Sequence, residues 1–236
     1  MSDIKAALIT GGTKGIGFSI AESFLANNIK VCITGRTQES IDKALQKLNH
    51  HEDLLGIVAD VRDKESMSSL INSMHAKFGR LDYLIANAGI GHFASIEDLT
   101  YEQWDEVIDI NLTGVFNTIK PAINYLKDSK GYIITIASLA GTNFFAGGAA
   151  YNASKFGLVG FTQAIMLDLR KHGIKTSTIM PGSVSTYFNN RVPSEMDAWK
   201  IQPEDIAQIC LDLIKMPANV LPSKVEVRPT QPPSKK

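Results

Sequence analysis

Two spacings of apolar residues alternate along this chain. Short runs, several nearly continuous in Ile, Val, Leu and Ala, occur at 5–10, 30–34, 54–59, 81–86, 131–137, 174–180 and 224–228. Unbroken runs of that length predict strands covered on both faces. Between them the apolar positions recur every three or four residues. Ile16, Ile20, Phe24 and Leu25 make one stripe, and Ile41, Ala44, Leu45 and Leu48 another, the spacing of helices with one buried side. Further helical stretches are expected at 63–78, 101–127 and 151–172, with Pro121 bending the second. Strands alternating with helices cannot close as hairpins, so they pair in parallel through right-handed crossovers. The expected fold class is α/β, a doubly wound parallel sheet of about seven strands with helices on both faces. No Pro/Gly/Ser-rich linker divides the chain, so residues 1–228 are expected to form a single domain. Residues 229–236, with three prolines and two terminal lysines, are expected to form a flexible tail.

Composition narrows the partners. Apolar residues make up 44% of the 236 and charged ones 20%, an ordinary globular balance. Lys plus Arg (24) equals Asp plus Glu (24), so no net charge advertises nucleic acid or an acidic membrane, and neither is expected as a partner. No apolar run approaches the ~18 residues of a spanning helix. The opening Met1-Ser2-Asp3-Ile4-Lys5 lacks the apolar stretch of a secretory signal. Cys32 and Cys210 each sit in an apolar segment, as buried free thiols do. A cytoplasmic protein is expected.

Chemistry gathers at the ends of the strands. The first strand runs into Thr10-Gly11-Gly12-Thr13-Lys14-Gly15-Ile16-Gly17, and a helix follows at once. Glycines there let the backbone turn and a diphosphate approach, while the helix start directs unpaired N–H groups at it. Asn87-Ala88-Gly89 follows the fourth strand, where it forms a ligand-facing turn, a brace for the central strand, or both. Asp60 closes the third strand, either facing a ligand or capping the helix at 63–78. Tyr151 and Lys155 lie four apart in a helical segment and share a face, with Ser138 thirteen residues upstream at a strand end. Together with Asn111 and Pro181-Gly182, these blocks, in this order over residues 5 to about 228, resemble the short-chain dehydrogenase/reductase family.

The resemblance implies a Rossmann-like fold, a nicotinamide cofactor and a catalytic set of Asn111, Ser138, Tyr151 and Lys155. A phenol titrating near pH ~10 is a poor base at neutrality. A neighbouring ammonium and an oxidised nicotinamide are expected to lower it. In reduction the same phenol donates the proton to the carbonyl oxygen, while Ser138 bonds the developing alkoxide. In the family, Asn111 holds a water that links the lysine to solvent. The implied cofactor site comprises Gly11, Thr13, Lys14, Gly15, Ile16 and Gly17; Arg36; Asp60 and Val61, the acid receiving the adenine amino group; Asn87, Ala88 and Gly89; Tyr151 and Lys155; and Pro181, Gly182, Val184 and Thr186. A carboxylate ending the second strand would bond the ribose hydroxyls of NAD and repel a 2′-phosphate. The segment Val31–Thr37 has none and offers Arg36, with Lys14 nearby, unless these are merely solvated surface charges. NADP(H) is expected ahead of NAD(H).

The remaining candidates are fewer. His50 and His51 are adjacent and diverge, and His75 and His172 read as surface, so no metal is expected. His92, three residues past Asn87-Ala88-Gly89, is a candidate for the substrate border. Substrate choice in this fold usually lies in the loop between Thr186 and Pro203, where Arg191 is either a carboxylate holder or a solvated residue. The ending Lys224–Thr230 resembles the group acting on 3-hydroxy acids. The expected activity is interconversion of a carbonyl and a secondary alcohol, on a small hydroxy or keto acid or related carbonyl. The alternatives are a 3-oxoacyl-thioester (acyl-carrier-protein) reductase, for which Lys130 and His172 replace the family's arginines, and a non-enzymatic NADP-binding sensor or scaffold. A homodimer or homotetramer is expected from apolar residues beyond one stripe: Val115, Phe116, Ile119, Phe156, Leu158, Phe161 and Ile165.

Overall fold

The computed structural model describes residues 4–231. Its strands are β1 (Ala6–Ile9), β2 (Lys30–Gly35), β3 (Leu54–Val58), β4 (Tyr83–Ala86), β5 (Tyr132–Ile136), β6 (Lys175–Pro181) and β7 (Lys224–Val227). They form one parallel sheet in the order β3-β2-β1-β4-β5-β6-β7. The helices between them are α1 (Gly15–Ala26), α2 (Gln38–Lys47), α3 (Lys64–Phe78), α4 (Tyr101–Ile108), α5 (Gly114–Ser129), α6 (Ala149–Leu169) and α7 (Pro203–Lys215).

Burial on both faces explains the unbroken apolar runs. In β1, Ala6 and Leu8 enter one core while Ala7 and Ile9 enter the other. The first core is closed by α3, α5 and residues Leu158 and Leu169 of α6; the second is closed by α1, α2 and α7. Side chains such as Leu8, Ile9, Ile20 and Phe24 are wholly removed from water, each stabilising the fold by about 1.5–3 kcal/mol. Cys32 and Cys210 lie in these cores as free thiols, and burial pushes both thiols up.

Helix ends follow local chemistry. Thr37 caps α2, Asp63 caps α3 through the N–H groups of Glu65 and Ser66, and Thr100 and Gln103 form a capping box on α4. The cap of the third helix is thus Asp63 and not Asp60. The stretch 101–127 is not one helix. A π turn, Asp109–Thr113, separates α4 from α5, and this irregularity precedes Pro121. The helix α7, not among the expected stretches, follows the loop after β6, and Pro203 in its first turn and a Gln202–Asp205 capping box mark its start. Residues 232–236 of the expected tail lie outside the described residues.

Strand order reverses between β1 and β4. Their chain connections leave toward opposite sides, which opens a crevice at the carboxyl ends of the strands.

Candidate active site

A cleft of about 530 Å³ occupies that crevice, large enough for a nucleotide-sized ligand. Its floor is the turn Gly11–Ile16. Gly11 and Gly15 adopt positive φ (64° and 57°), which a side chain would strain. Unlike α2, α3 and α4, the start of α1 has no side-chain cap and no acid in its first turn, so its N–H groups and positive partial charge face the cleft. Thr10 Oγ1 accepts from the N–H groups of Asn87 and Ala88, and Asn87 Nδ2 donates to the carbonyl oxygens of Thr10 and Gly11 at 2.9 and 3.1 Å. Asn87 is therefore the brace its sequence position allowed, and it lines the cleft as well.

At the far end Ser138, Tyr151 and Lys155 come together. Ser138 caps the short turn after β5, and Tyr151 lies in the first turn of α6, both lining the cleft. Lys155, only 4% exposed, donates to the carbonyl oxygen of Ile136 at 3.1 Å. Burial without a carboxylate partner draws its ammonium down to about 8. At Tyr151 burial raises the phenol, and Ser138 offsets this only in part. The Lys155 ammonium sits 5.7 Å from the Tyr151 ring centroid and gives a hydrogen bond to Ile136.

Asn111, on the π turn, is fully buried. Its Nδ2 donates to the carbonyl oxygen of Ile90 (2.9 Å) and to Ser154 Oγ (3.0 Å), and its Oδ1 accepts from the Ile90 N–H (2.9 Å). Both Nδ2 hydrogens are used, so the side chain ties the loop after β4 to α6. Gly89 leaves room for the set: a Cβ there would stand 3.2 Å from Asn111 Oδ1 and 3.5 Å from Lys155 Nζ.

This order of elements, with a glycine turn after β1 and a Ser–Tyr–Lys set at the carboxyl end of β5, agrees with a family model described as short chain dehydrogenase, which matches residues 5–197. The chain belongs to the short-chain dehydrogenase family. An uncharacterized oxidoreductase of Staphylococcus saprophyticus is 31% identical over 232 residues, 95% of this chain and 97% of that protein. An alcohol dehydrogenase of the archaeon Thermococcus sibiricus, complexed with 5-hydroxy-NADP, superposes with a TM-score of 0.90 at 26% identity, covering 98% of this chain and 100% of that one. An actinorhodin polyketide ketoreductase variant with NADPH superposes at 0.87 with 29% identity and 97% coverage of both chains. The short-chain dehydrogenase family binds nicotinamide cofactors, and this cleft has the floor and the uncapped helix start for one.

Most residues expected at a short-chain dehydrogenase cofactor site do line the cleft: Gly11, Thr13, Lys14, Gly15 and Ile16 at the floor; Arg36, Asp60 and Val61 at one end; Asn87, Ala88 and Gly89; and Pro181, Gly182, Val184 and Thr186 on the far wall. Gly17 does not. It is buried, and a Cβ there would lie 2.5 Å from Asn87 Nδ2 and from Gly11 O, so it serves packing. Asp60 lines the cleft with its carboxylate engaged by Arg62, at 2.6 Å to NH2 and about 3 Å to Nε, and that hydrogen-bonded guanidinium holds the carboxyl below its usual range. His92 borders the cleft but is turned to Glu106 (2.7 Å), whose other oxygen stands 3.9 Å from Arg36 NH1. Arg191 is exposed and outside the lining. Among the described residues, no three His, Cys, Asp or Glu side chains cluster as a metal site.

Glu106, Phe93 and Phe145 escaped the sequence reading. Their only signal there is two aromatics in glycine-flanked loops, Gly91-His92-Phe93 and Phe144-Phe145-Ala146-Gly147.

Proposed function

We propose that the chain is an NADP(H)-dependent oxidoreductase that interconverts a carbonyl and a secondary alcohol, with Tyr151 as acid and base. The observation that carries this reading is the gathering of Ser138, Tyr151 and a buried Lys155 without a carboxylate partner at one end of the cleft. The nicotinamide supplies or takes up the hydride. Tyr151 donates its proton to the carbonyl oxygen in reduction and receives it back in oxidation. Ser138 holds the same oxygen. Lys155, with an ammonium near 8, gives up and regains a proton easily near neutrality and so can replenish the phenol. Asn111 keeps these groups in place through Ile90 and Ser154. The 2′-phosphate of NADP(H) is assigned to Arg36 and Lys14, which line the cleft where the end of β2 carries no acid. Retention of all four chemistry-bearing residues speaks against a sensor or scaffold.

The same proposal includes a single catalytic domain over 1–228, a cytoplasmic location and a homodimer or homotetramer. Among the described residues no helix is long and apolar enough to cross a membrane. Val115, Ile119 and Leu158 are buried within the protomer, whereas Phe116 on α5 and Phe156 on α6 are exposed, an apolar surface suited to a second copy.

Nicotinamide absorbance, followed over a panel of carbonyls with NADPH and of alcohols with NADP⁺, tests the activity. Tyr151→Phe should lower turnover by about 1,000-fold or more while NADPH still binds. A phenylalanine variant working at close to the wild-type rate overturns the mechanism. Light scattering that finds only protomers at micromolar concentration overturns the oligomer.

A further inference from the structure

The loops around Tyr151 carry more aromatic surface than proton transfer requires. Phe93, on the loop after β4, stands edge-on to the Tyr151 ring with 5.4 Å between centroids. Phe188, on the loop after β6, lies 5.7 Å from Tyr151 and 6.4 Å from Phe93. The three rings form a triangle with the phenol at one corner. Phe145 extends the wall beyond Phe93 at 5.9 Å. Missing side chains make this possible: a Cβ on Gly91 would meet Phe188 Cζ at 2.8 Å and Phe93 Cζ at 2.9 Å, and one on Gly148 would meet Phe145 Cε2 at 2.6 Å.

The wall is tied to the catalytic helix. The Ala94 N–H donates to Gly147 O at 3.0 Å, lacing the Phe93 loop to the Phe145 loop. Buried Asn152, next to Tyr151, donates to the carbonyl oxygens of Ala140 and Asn143 at 2.8 Å each. Its Oδ1 accepts from the Phe145 N–H at 3.4 Å. Rings held this way are pre-organised for a ligand.

Exposure and charge indicate which ligand. Of these rings Phe188 lines the cleft, while Phe93 and Phe145, 42% and 47% exposed, stand outside the lining at its rim and leave ring surface there for an apolar group to cover. Among the described residues lining the cleft, the cationic or titratable basic side chains are Lys14, Arg36, His92 and Lys155. The first two lie at the opposite end, Glu106 engages His92, and Lys155 is buried. Arg191 lies outside the lining and acts on Asp197, whose carboxyl is held low chiefly by Lys200. A substrate carboxylate would meet phenyl rings with no free counter-ion, and its desolvation would go uncompensated.

We propose that this end of the cleft takes an uncharged carbonyl or alcohol bearing an aromatic or similarly flat apolar group, with Phe188 in the lining and Phe93 and Phe145 at its rim as specificity-determining residues. The assignment rests on the oxidoreductase reading and narrows it away from a small hydroxy acid. Edge and offset contacts with Phe93 and Phe145 hold the flat group, and its oxygen points to Tyr151 and Ser138. Hydride adds to the carbonyl carbon and the Tyr151 proton to the oxygen, giving the secondary alcohol and the oxidised nicotinamide.

Acetophenone, acetoacetate and an acetoacetyl thioester of N-acetylcysteamine, each with NADPH, separate the options. The value of kcat/KM for acetophenone should exceed those of the other two by about tenfold or more. Phe93→Ala should raise KM for acetophenone by about tenfold and for acetoacetate far less, whereas Phe93→Leu should keep most of the affinity. Calorimetric binding of 1-phenylethanol to the NADP⁺ complex reads the same wall without turnover. Preference for acetoacetate or the thioester, or equal KM losses for every ketone in Phe93→Ala, overturns the assignment. Binding of 1-phenylethanol that is lost in Phe93→Ala, with no ketone turned over, sustains the aromatic wall and sinks the oxidoreductase reading. Turnover of acetoacetate alone does the reverse.

Discussion

Two buried charges stand at opposite edges of the same sheet and are treated in opposite ways. Asp82, at the amino edge before β4, is 2% exposed and fully met. Arg80 donates to it from Nε and NH2 at 2.7 and 2.8 Å, the Ala6 N–H at 2.9 Å, and Lys5 Nζ stands 3.0 Å away. Burial pushes its carboxyl up, but these partners together outweigh burial and hold it below the usual carboxylate range. Lys155, near the carboxyl edge, is as deeply buried and has one backbone carbonyl as its partner. Nothing offsets its desolvation, so its ammonium falls to about 8. A charge fully satisfied holds the fold in one register, while a charge left short of partners is easily moved by chemistry. That contrast separates the structural edge of the molecule from the working one.

Removing the satisfied charge should have the largest effect. Asp82→Asn leaves Arg80 and Lys5 facing a neutral group and should cost about 4 kcal/mol, seen as a melting temperature lower by about 10 °C. Turnover per folded molecule should not change. Because the folded carboxyl is depressed, its contribution is present above the unfolded carboxylate value of about 4 and is lost as pH falls through the folded value. The variant should therefore show a weaker acid dependence than wild type, and a melting point equal to wild type at pH 7 would dissolve the comparison.

The reverse pattern is expected of Lys155→Met. Turnover at pH 7 should fall about 100-fold, or about 2.7 kcal/mol, while stability at pH 7 holds or rises. The sign follows from the lowered ammonium. Between about 8 and 10.5 the unfolded chain binds more protons than the folded one, so wild-type stability rises with pH there. The gain relative to Lys155→Met should approach about 3 kcal/mol. Parallel pH series of denaturant midpoints for the two proteins measure it, and curves that stay parallel from pH 7 to 10.5 would show that the lysine is not strained.

An exposed charge sets the lower limit. Arg36, in long contact with Glu106, is assigned the 2′-phosphate, and NADPH should bind at least about 10-fold more tightly than NADH, about 1.4 kcal/mol. Arg36→Asp should shift the ratio toward NADH, and rising salt should shrink the wild-type margin. Equal affinities in calorimetric titration of wild type would return Arg36 to the role of a surface charge.

The local features of this protein are readable in its sequence. The seven strand runs, the glycine turn and the Tyr151–Lys155 pair each depend on neighbours within one turn or one strand, where spacing alone sets which face a side chain takes. A helix start without a cap was likewise implicit in the residues that surround it. Tertiary structure decided the rest, because it depends on which distant segments meet. Asp82 finds Lys5 and the Ala6 N–H only when β1 and β4 become neighbours. Arg36 meets Glu106 across the cleft, from β2 to α4. Phe93, Tyr151 and Phe188 are ordinary loop and helix aromatics in sequence, and they become one wall because three crossovers deliver their loops to the same edge of the sheet. The degree of burial that moves the Lys155 and Tyr151 protons is likewise a property of packing, since desolvation is imposed by atoms far away in the chain.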